Sequence, residues 1–557
     1  MSRPAGTGSA NVASHLFAMA RDRPDALALS APSGCDARGR MRYVHWSYGQ
    51  LAEESARLSR GLRAIGIGPG VRTVLMVPPS LDLFALVFAL FDAGAVPVMV
   101  DPGMGRAHLG ECLSRAEPRA FIGVPLAHAA RLALGWARDT VEIAVGVGPR
   151  WASPGMHAID AVRARGETGP AAPEPSPEDL AAILFTSGST GPPKGALYRH
   201  RTFSAQVEAI RALYDIRPGE IDLPTFPLFA LFDPALGMST VIPEMDSTRP
   251  AEVDPATIVT AIRTFGATNM FGSPALLDTV AAWAVPRGLT LPSLRRVVSA
   301  GAPVAPRILE AFAKLLPEGA RIHTPYGATE SLPVASIAHD EVLGETRART
   351  ERGGGICVGR PVPSVTVEIV RITDDPLPRW DDSLRVAEGE IGEIVVRGPQ
   401  VTHAYAAQPE HTAKAKIEAP DGAVLHRMGD VGRRDAKGRL WFCGRKSHRV
   451  ELEGGEVLFT IPCEGPFNAH PAVRRSALVG ARLGGRTVPV VCVEPFEPPV
   501  DPGALLWELR GIARLHPHTA RLDTFLLHPR FPVDVRHNAK IRREDLALWA
   551  ARELAKR

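Results

Sequence analysis

The chain has 557 residues, 45% of them hydrophobic and 22% charged, which suits a soluble globular protein with a large core and more than one unit. Lys+Arg 64 against Asp+Glu 60 leaves a formal charge of +4, too weak a field to mark a nucleic-acid-binding surface. Six cysteines lie far apart with no CxxC pair, which excludes a disulfide framework or a zinc knuckle and suits a reducing, cytoplasmic setting.

The first residues, MSRPAGTGSANVASHLFAMA, lack the long apolar core of a signal peptide. YGQLAEESARLSRGLRAIGI then places Leu51, Leu58, Leu62 and Ile65 on one helical stripe, closed by Gly66, Gly68 and Gly70. VRTVLMV reads as a short strand ending at Pro78-Pro79. The most apolar stretch follows, LDLFALVFALFDAGAVPVMV from Leu81, interrupted by Asp82, Asp92 and Pro97. A bilayer span needs ~20 clean apolar residues, so this stretch predicts a buried helix through Leu90 and a buried strand, with no transmembrane segment. FIGVP and VEIAVGV continue the strand signals, and strands alternating with helices argue for a parallel α/β sheet. ARGETGPAAPEPSPE, residues 164–178, reads as an exposed connector. The alternation resumes from Arg201 to about Tyr326. From Gly353 to Arg439, short strands such as VTVEIVRI and EIGEIVVRG predict a β-rich subdomain. After Arg445, strands near SALVG and VPVVCVE and helices near LLWELRGIARL and REDLALWAARELAK predict a small α+β lid.

Between connector and resumption stands FTSGSTGPPKG, led by the buried-looking run Ala181–Phe185. Glycines let a backbone curl closely around a ligand, and successive amides form an anion-binding nest. Thr186, Ser187, Ser189 and Thr190 add neutral donors and Lys194 a cation, with Gly188 and Gly191 between them. Taken alone the string is a phosphate cradle or a flexible surface turn. It is not a Walker loop, because Gly195 rather than Ser or Thr follows Lys194.

TSGSTGPPKG resembles the phosphate loop of the adenylate-forming superfamily, which comprises acyl-CoA synthetases, peptide-synthetase adenylation domains and luciferases. The superfamily's other motifs appear in order. SAGAP, with Gly301, Ala302 and Pro303, resembles the segment against the adenine. YGATE, with Tyr326 and Gly327, resembles YGxTE, in which Thr329 would contact the α-phosphate and Glu330 would hold Mg²⁺. HRMGDVG places Asp430 on the ribose hydroxyls, Gly444-Arg445 places Arg445 near ribose or phosphates, and PVDVRHNAKIRRE places the adenylation lysine at Lys540. The resemblance implies an ATP- and Mg²⁺-dependent, AMP-forming ligase. Its fold would be a large N-terminal multi-sheet α/β domain with a β-rich subdomain, residues 1–446, and a small C-terminal α+β lid, residues 447–557, hinged near Ser447. The chemistry asks for the same groups: a carboxylate attacking a triphosphate needs cations to offset repulsion, Mg²⁺ takes a carboxylate beside phosphate oxygens, and a flexible ammonium suits a group delivered by a moving lid.

The pattern is also broken in places. Ala230 stands where PLFH-type members carry a pocket-gating His; Ser447 occupies the hinge, commonly Asp or Lys; Ala539 precedes Lys540 where Gly is usual; and SHRVELEGGEVLFTIPCEGPFNAHPAV replaces the familiar thioester-forming run. These departures fall on the surface that would admit coenzyme A, so coenzyme A is expected to be unnecessary. TFPLFALFDPALGM, TPYGATESLPV, GDVGRRDAKGRLWFCGRKSHRV and PVDVRHNAKI are similar to the olefin-biosynthesis β-lactone synthetases, which adenylate a 2-alkyl-3-hydroxyalkanoic acid and let its own hydroxyl displace AMP. Proximity offsets part of the ring strain in such a step. Phe226, Leu228, Phe229, Ala230, Leu231 and Phe232 are candidates for an alkyl pocket, of which Phe229, Ala230 and Phe232 are carried forward, and they are equally well plain core. His323 and His448 are candidates for a base, each also readable as a structural histidine. The rival readings are a long-chain fatty-acyl-CoA ligase, differing only in the second acceptor, and a non-catalytic nucleotide- or acyl-binding protein. Other olefin-pathway enzymes are the partners the branch resemblance implies.

Overall fold

A computed structural model describes residues 11–100, 104, 106–149, 155–169, 173–186, 193–533 and 541–556. The sequence-predicted elements fall into place in chain order. The helix Tyr48–Ala64 starts at a capping box: the Ser47 hydroxyl accepts from the Gln50 amide while the Gln50 side chain accepts from the Ser47 amide. Its Leu51, Leu58 and Leu62 are fully buried. The helix Leu81–Asp92, capped by Ser80, is buried on every side from Leu83 to Phe91. An amphipathic helix keeps a wet face and this one has none, because sheets and helices surround it. Among the described residues no helix is long and apolar enough to cross a membrane.

Two large sheets make the body. The smaller has seven strands in the order His157–Ala158, Ile143–Gly146, Ala120–Gly123, Arg72–Met76, Val96–Val100, Leu180–Thr186 and Lys194–Arg199. All neighbours are parallel except the last pair, which is antiparallel with Thr186 opposite Lys194. A Walker-type loop leads from strand to helix; here the chain re-enters the same sheet as the strand Lys194–Arg199.

The larger sheet has fourteen strands. Its parallel half runs from Leu27–Cys35 through Ser239–Val241, Ile221–Pro224, Asn269–Phe271 and Arg296–Val298 to Arg321–Ala328. At Ser331–Ala338 the pairing turns antiparallel and stays so through Ile356–Pro361, Leu440–Arg445, Val424–Arg434, Gly392–Arg397 and Thr366–Val370. The β-rich region predicted from Gly353 to Arg439 is thus an extension of the same sheet. Glycine permits the junction: a Cβ on Gly359 would stand 1.9 Å from the Ser336 carbonyl oxygen.

The C-terminal unit is built on a three-stranded sheet, Val473–Leu483, Arg486–Pro495 and Phe525–Leu527, with helices Thr460–Asn468, Pro502–Arg514 and Arg543–Ala555 around it. It has its own cores, one around Phe467, Leu478, Val491 and Phe525 and one around Ala477, Cys492 and Leu546. The 3₁₀ turn Lys446–His448 links it to the body.

Candidate active site

A cavity of about 1160 Å³ lies between the two sheets and continues to the face of the C-terminal unit. One end is polar, and the motif residues meet there. The strand Arg321–Ala328 carries Tyr326 and leads into Thr329 and Glu330; the strand Val424–Arg434 carries Asp430; the strand Leu440–Arg445 ends in Arg445 directly opposite it. Tyr326 Oη donates to Asp430 Oδ2 at 2.7 Å and Arg445 Nη1 stands 2.8 Å from Asp430 Oδ1. Burial raises the Asp430 pKa, and the Arg445 guanidinium and the Tyr326 hydroxyl pull against it. Arg445 is held more firmly protonated, chiefly by Asp430. Gly301, Ala302, Pro303, Gly327, Thr329 and Lys194 also line this end. Beside Gly301 the Ser299 hydroxyl is buried with no hydrogen-bond partner among the described residues, a donor and acceptor of the kind a nucleotide base or sugar satisfies.

Glu330 is 8% exposed, and Tyr405 Oη donates to its Oε1 at 2.7 Å. Among the described residues its Oε2 carries no hydrogen bond. Lys194 Nζ lies 5.5 Å from the centre of the Tyr405 ring and Lys416 Nζ 5.8 Å from it, so the phenol is flanked by two cations. Lys416 is fully enclosed and donates to the Thr402 carbonyl at 2.5 Å and the Thr402 hydroxyl at 3.2 Å; burial pushes its pKa down to about 7. Thr402 in turn bonds the Glu330 carbonyl through its own amide at 2.9 Å. Burial lowers the Lys194 pKa too, against the pull of Glu330. His411 and Lys414, from the helix Pro409–Ala415, add basic groups to the same wall. Tyr405, Lys416 and Thr402 belong to no motif singled out in the sequence; THAYAAQPEHTAKAK carries no pattern that sets them apart from an ordinary loop and helix.

The other arm of the cavity is apolar. Phe226, Phe229, Leu231 and Phe232 line it, with the Phe229 ring stacked on Phe271 at 4.2 Å. Further in, Tyr198, Phe203 and Phe91 form an aromatic run with centroid spacings of 4.7 and 5.5 Å. Val12, Phe88 and Phe91, all buried, also line it, and Asn11 Nδ2 donates to the Phe91 carbonyl at 3.1 Å. Ala230 is 2% exposed and turned into the main core, away from the cavity wall.

The candidate bases part company. His323 packs against Tyr214, 5.0 Å between ring centres, off the cavity wall, and burial drives its pKa down to about 4. His448 lines the cavity, and its Nε2 stands 3.2 Å from Glu544 Oε1. Ser187, Gly188, Ser189, Thr190, Gly191 and Lys540 lie outside the described residues. Thr186 closes the strand Leu180–Thr186.

A strand-borne cation, a buried carboxylate and a Tyr–Asp–Arg triad around one cavity agree with the family model that the sequence matches: residues 16–406 fit the AMP-binding enzymes. The chain belongs to that family. Within it, the chain is 49% identical over 551 residues to the olefin beta-lactone synthetase of Xanthomonas campestris pv. campestris, covering 98% of each protein. It is 50% identical over 555 residues to the olefin beta-lactone synthetase of Stenotrophomonas maltophilia, covering 98% of this chain and 99% of that protein. In fold it is similar to the amide bond synthetase McbA from Marinactinospora thermotolerans, with a TM-score of 0.77 at 25% identity over 97% of this chain and 99% of that one.

Proposed function

We propose that this enzyme joins a 2-alkyl-3-hydroxy fatty acid to AMP at the expense of ATP, releasing pyrophosphate, and then lets the acid's own hydroxyl displace AMP to close a β-lactone for long-chain olefin biosynthesis. One observation carries the reading: an aromatic-lined arm and the polar group of Thr329, Glu330, Asp430 and Arg445 line one continuous cavity. An alkyl chain in that arm brings its carboxyl group to the nucleotide groups, and near-halves of sequence identity to two olefin beta-lactone synthetases favour the ring-closing outcome.

The residues present fit ATP as a substrate. Asp430, fixed by Tyr326 and Arg445, presents a buried carboxylate suited to ribose hydroxyls, and the Ser299 hydroxyl, without a partner among the described residues, stands beside Gly301. Glu330 suits Mg²⁺, because one oxygen is tethered by Tyr405 and the carboxylate needs only phosphate and water oxygens to complete a hard-ion shell. When bound, Mg²⁺ would offset phosphate charge during attack by the acid. Lys194 supplies positive charge from the strand Lys194–Arg199, and Lys540 is assigned the same service from the C-terminal unit, which would act as a lid over residues 1–446 and pivot near Ser447. The apolar arm keeps water from the reactive adenylate, and holding hydroxyl and carbonyl in one narrow space makes ring closure intramolecular. Coenzyme A has no part in this scheme.

The experiment incubates the purified enzyme with ATP, Mg²⁺ and a synthetic 2-alkyl-3-hydroxy fatty acid, with and without coenzyme A, and reads products by mass and NMR. A product of the acid's mass less one water, with lactone ring signals in both tubes, is the expected result. A thioester formed only with coenzyme A overturns the reading in favour of an acyl-CoA ligase.

A further inference from the structure

Gln206 stands on the helix His200–Tyr214, on the apolar stripe it shares with Phe203 and Val207. It is 1% exposed and lines the alkyl arm, where its neighbours on the wall are Tyr198, Phe203, Val207 and Phe232. Its Nε2 donates to Tyr198 Oη at 3.3 Å, and Tyr198 Oη donates to the Thr329 carbonyl. Its Oε1 is buried with no partner among the described residues. A buried amide oxygen left bare in an aromatic wall is unfavourable, and a leucine or methionine would fill the stripe without that cost. Exchanging the amide's oxygen and nitrogen ends does not remove the problem, because one polar end is still left unmatched. A hydroxyl answers either orientation, since it both donates and accepts.

We propose that Gln206 binds the 3-hydroxyl of the acid and so sets the enzyme's preference for β-hydroxy acids; this rests on the reading above. Position supports it. Gln206 is two hydrogen bonds from Thr329, by way of Tyr198, and the hydroxyl of such an acid is two carbons from the carboxyl group that would sit at Thr329. A site built to hydrogen-bond a substrate hydroxyl rejects the analogue lacking it far more strongly than an apolar pocket discriminates between sizes. The remaining alkyl chain keeps the aromatic walls for itself.

The test compares a 2-alkyl-3-hydroxy acid with the same acid lacking the hydroxyl, in the unaltered enzyme and in Gln206→Leu, with Gln206→Met as a second variant should the first fold poorly. Pyrophosphate release measures activation of both acids, and lactone is measured in the same runs. In the variants kcat/KM for the hydroxy acid is expected to fall at least tenfold. That for the deoxy acid holds or rises, so the preference collapses, while KM for ATP stays put. Equal losses on both acids would mean that Gln206 only supports the wall and would overturn the assignment. So would an unchanged preference in an enzyme that still makes lactone. No lactone from the unaltered enzyme would instead bring down the β-lactone reading, and this assignment with it.

Discussion

Asp222 and Asp233 are both buried and hydrogen-bonded to each other through their carboxyl groups, with Thr240 Oγ1 donating to Asp233 Oδ2 at 3.0 Å. Burial raises both pKa values, Asp222 to about 7; the charge of Asp222 pushes Asp233 further up, while the hydrogen bond from Asp233 pulls Asp222 back. Both folded-state values lie above those of the unfolded chain, so the folded protein binds protons more tightly than the unfolded one. The Asp222 share of the ionisation cost is absent below the ordinary carboxylate range, grows as pH rises from about 4 to about 7, and is complete above that. Asp222→Asn, which removes one of the two charges, is expected to raise the melting temperature at pH 8 by about 2 °C or more and by less at pH 5. A shift of equal size at both pH values would show that the carboxyl pair does not carry the effect. Arg296 tempers the cost, and Glu220, its ion-pair partner at 3.0 Å, adds to it.

At the scale of the element, the antiparallel pair Leu180–Thr186 and Lys194–Arg199 explains why the phosphate-type string follows a buried strand: the entering strand is held between two neighbours in its sheet, and the edge strand fixes where Lys194 stands. Gly195 allows the two to close. A Cβ there would come within 2.9 Å of Phe185 Cζ and 3.0 Å of Ile183 Cγ2. Phe185 itself lines the cavity, so Gly195→Val is expected to push its ring inward and shift Lys194, lowering kcat/KM for ATP by about tenfold or more, the scale of one lost electrostatic contact. A pyrophosphate-exchange assay at varied ATP checks this, and unchanged kinetics would show that the strand pair tolerates the side chain. The string's residue types were legible as a ligand cradle from the sequence, but the antiparallel pairing that flanks it was not, because KGALYR is too short and too interrupted by glycine to announce an edge strand. Motif residues were readable wherever chemistry demands a particular side chain in a local pattern, as at Glu330, Asp430 and Arg445. Tyr405 and Lys416 were not, because what distinguishes them is a neighbour far along the chain. Gln206 was half legible: a polar residue on the stripe of Phe203 and Val207 breaks the 3.6-residue period, yet nothing in the period says what its amide faces.

In the whole molecule, the link between body and C-terminal unit is anchored by a buried ion network. Arg427 Nη2 donates to Glu393 Oε2 at 2.6 Å, with both side chains 2% exposed or less, and Lys446 Nζ reaches the same carboxylate at 3.3 Å and the Thr373 carbonyl at 2.8 Å. Arg449, on the far side of the turn, holds Asp374 at 2.8 Å. Removing one member of such a network strands the other charges, at a cost of about 3–5 kcal/mol. Glu393→Gln is therefore expected to lower the melting temperature and to speed proteolytic cleavage near Ser447, while an Arg397→Gln change at an exposed pair leaves both unaltered. Equal behaviour of the two variants would show that the network does not hold the turn. The sequence predicted a boundary at this turn from the motif pattern. It did not reveal the clamp, because Thr373, Glu393, Arg427 and Lys446 meet only once the antiparallel half of the large sheet has formed.

The apolar arm and the nucleotide end belong to one continuous cavity. An acyl chain and a nucleotide held there share walls rather than separate rooms, so the presence of either changes the space left to the other. Plain exclusion of volume thus couples the greasy reactant to the water-soluble one.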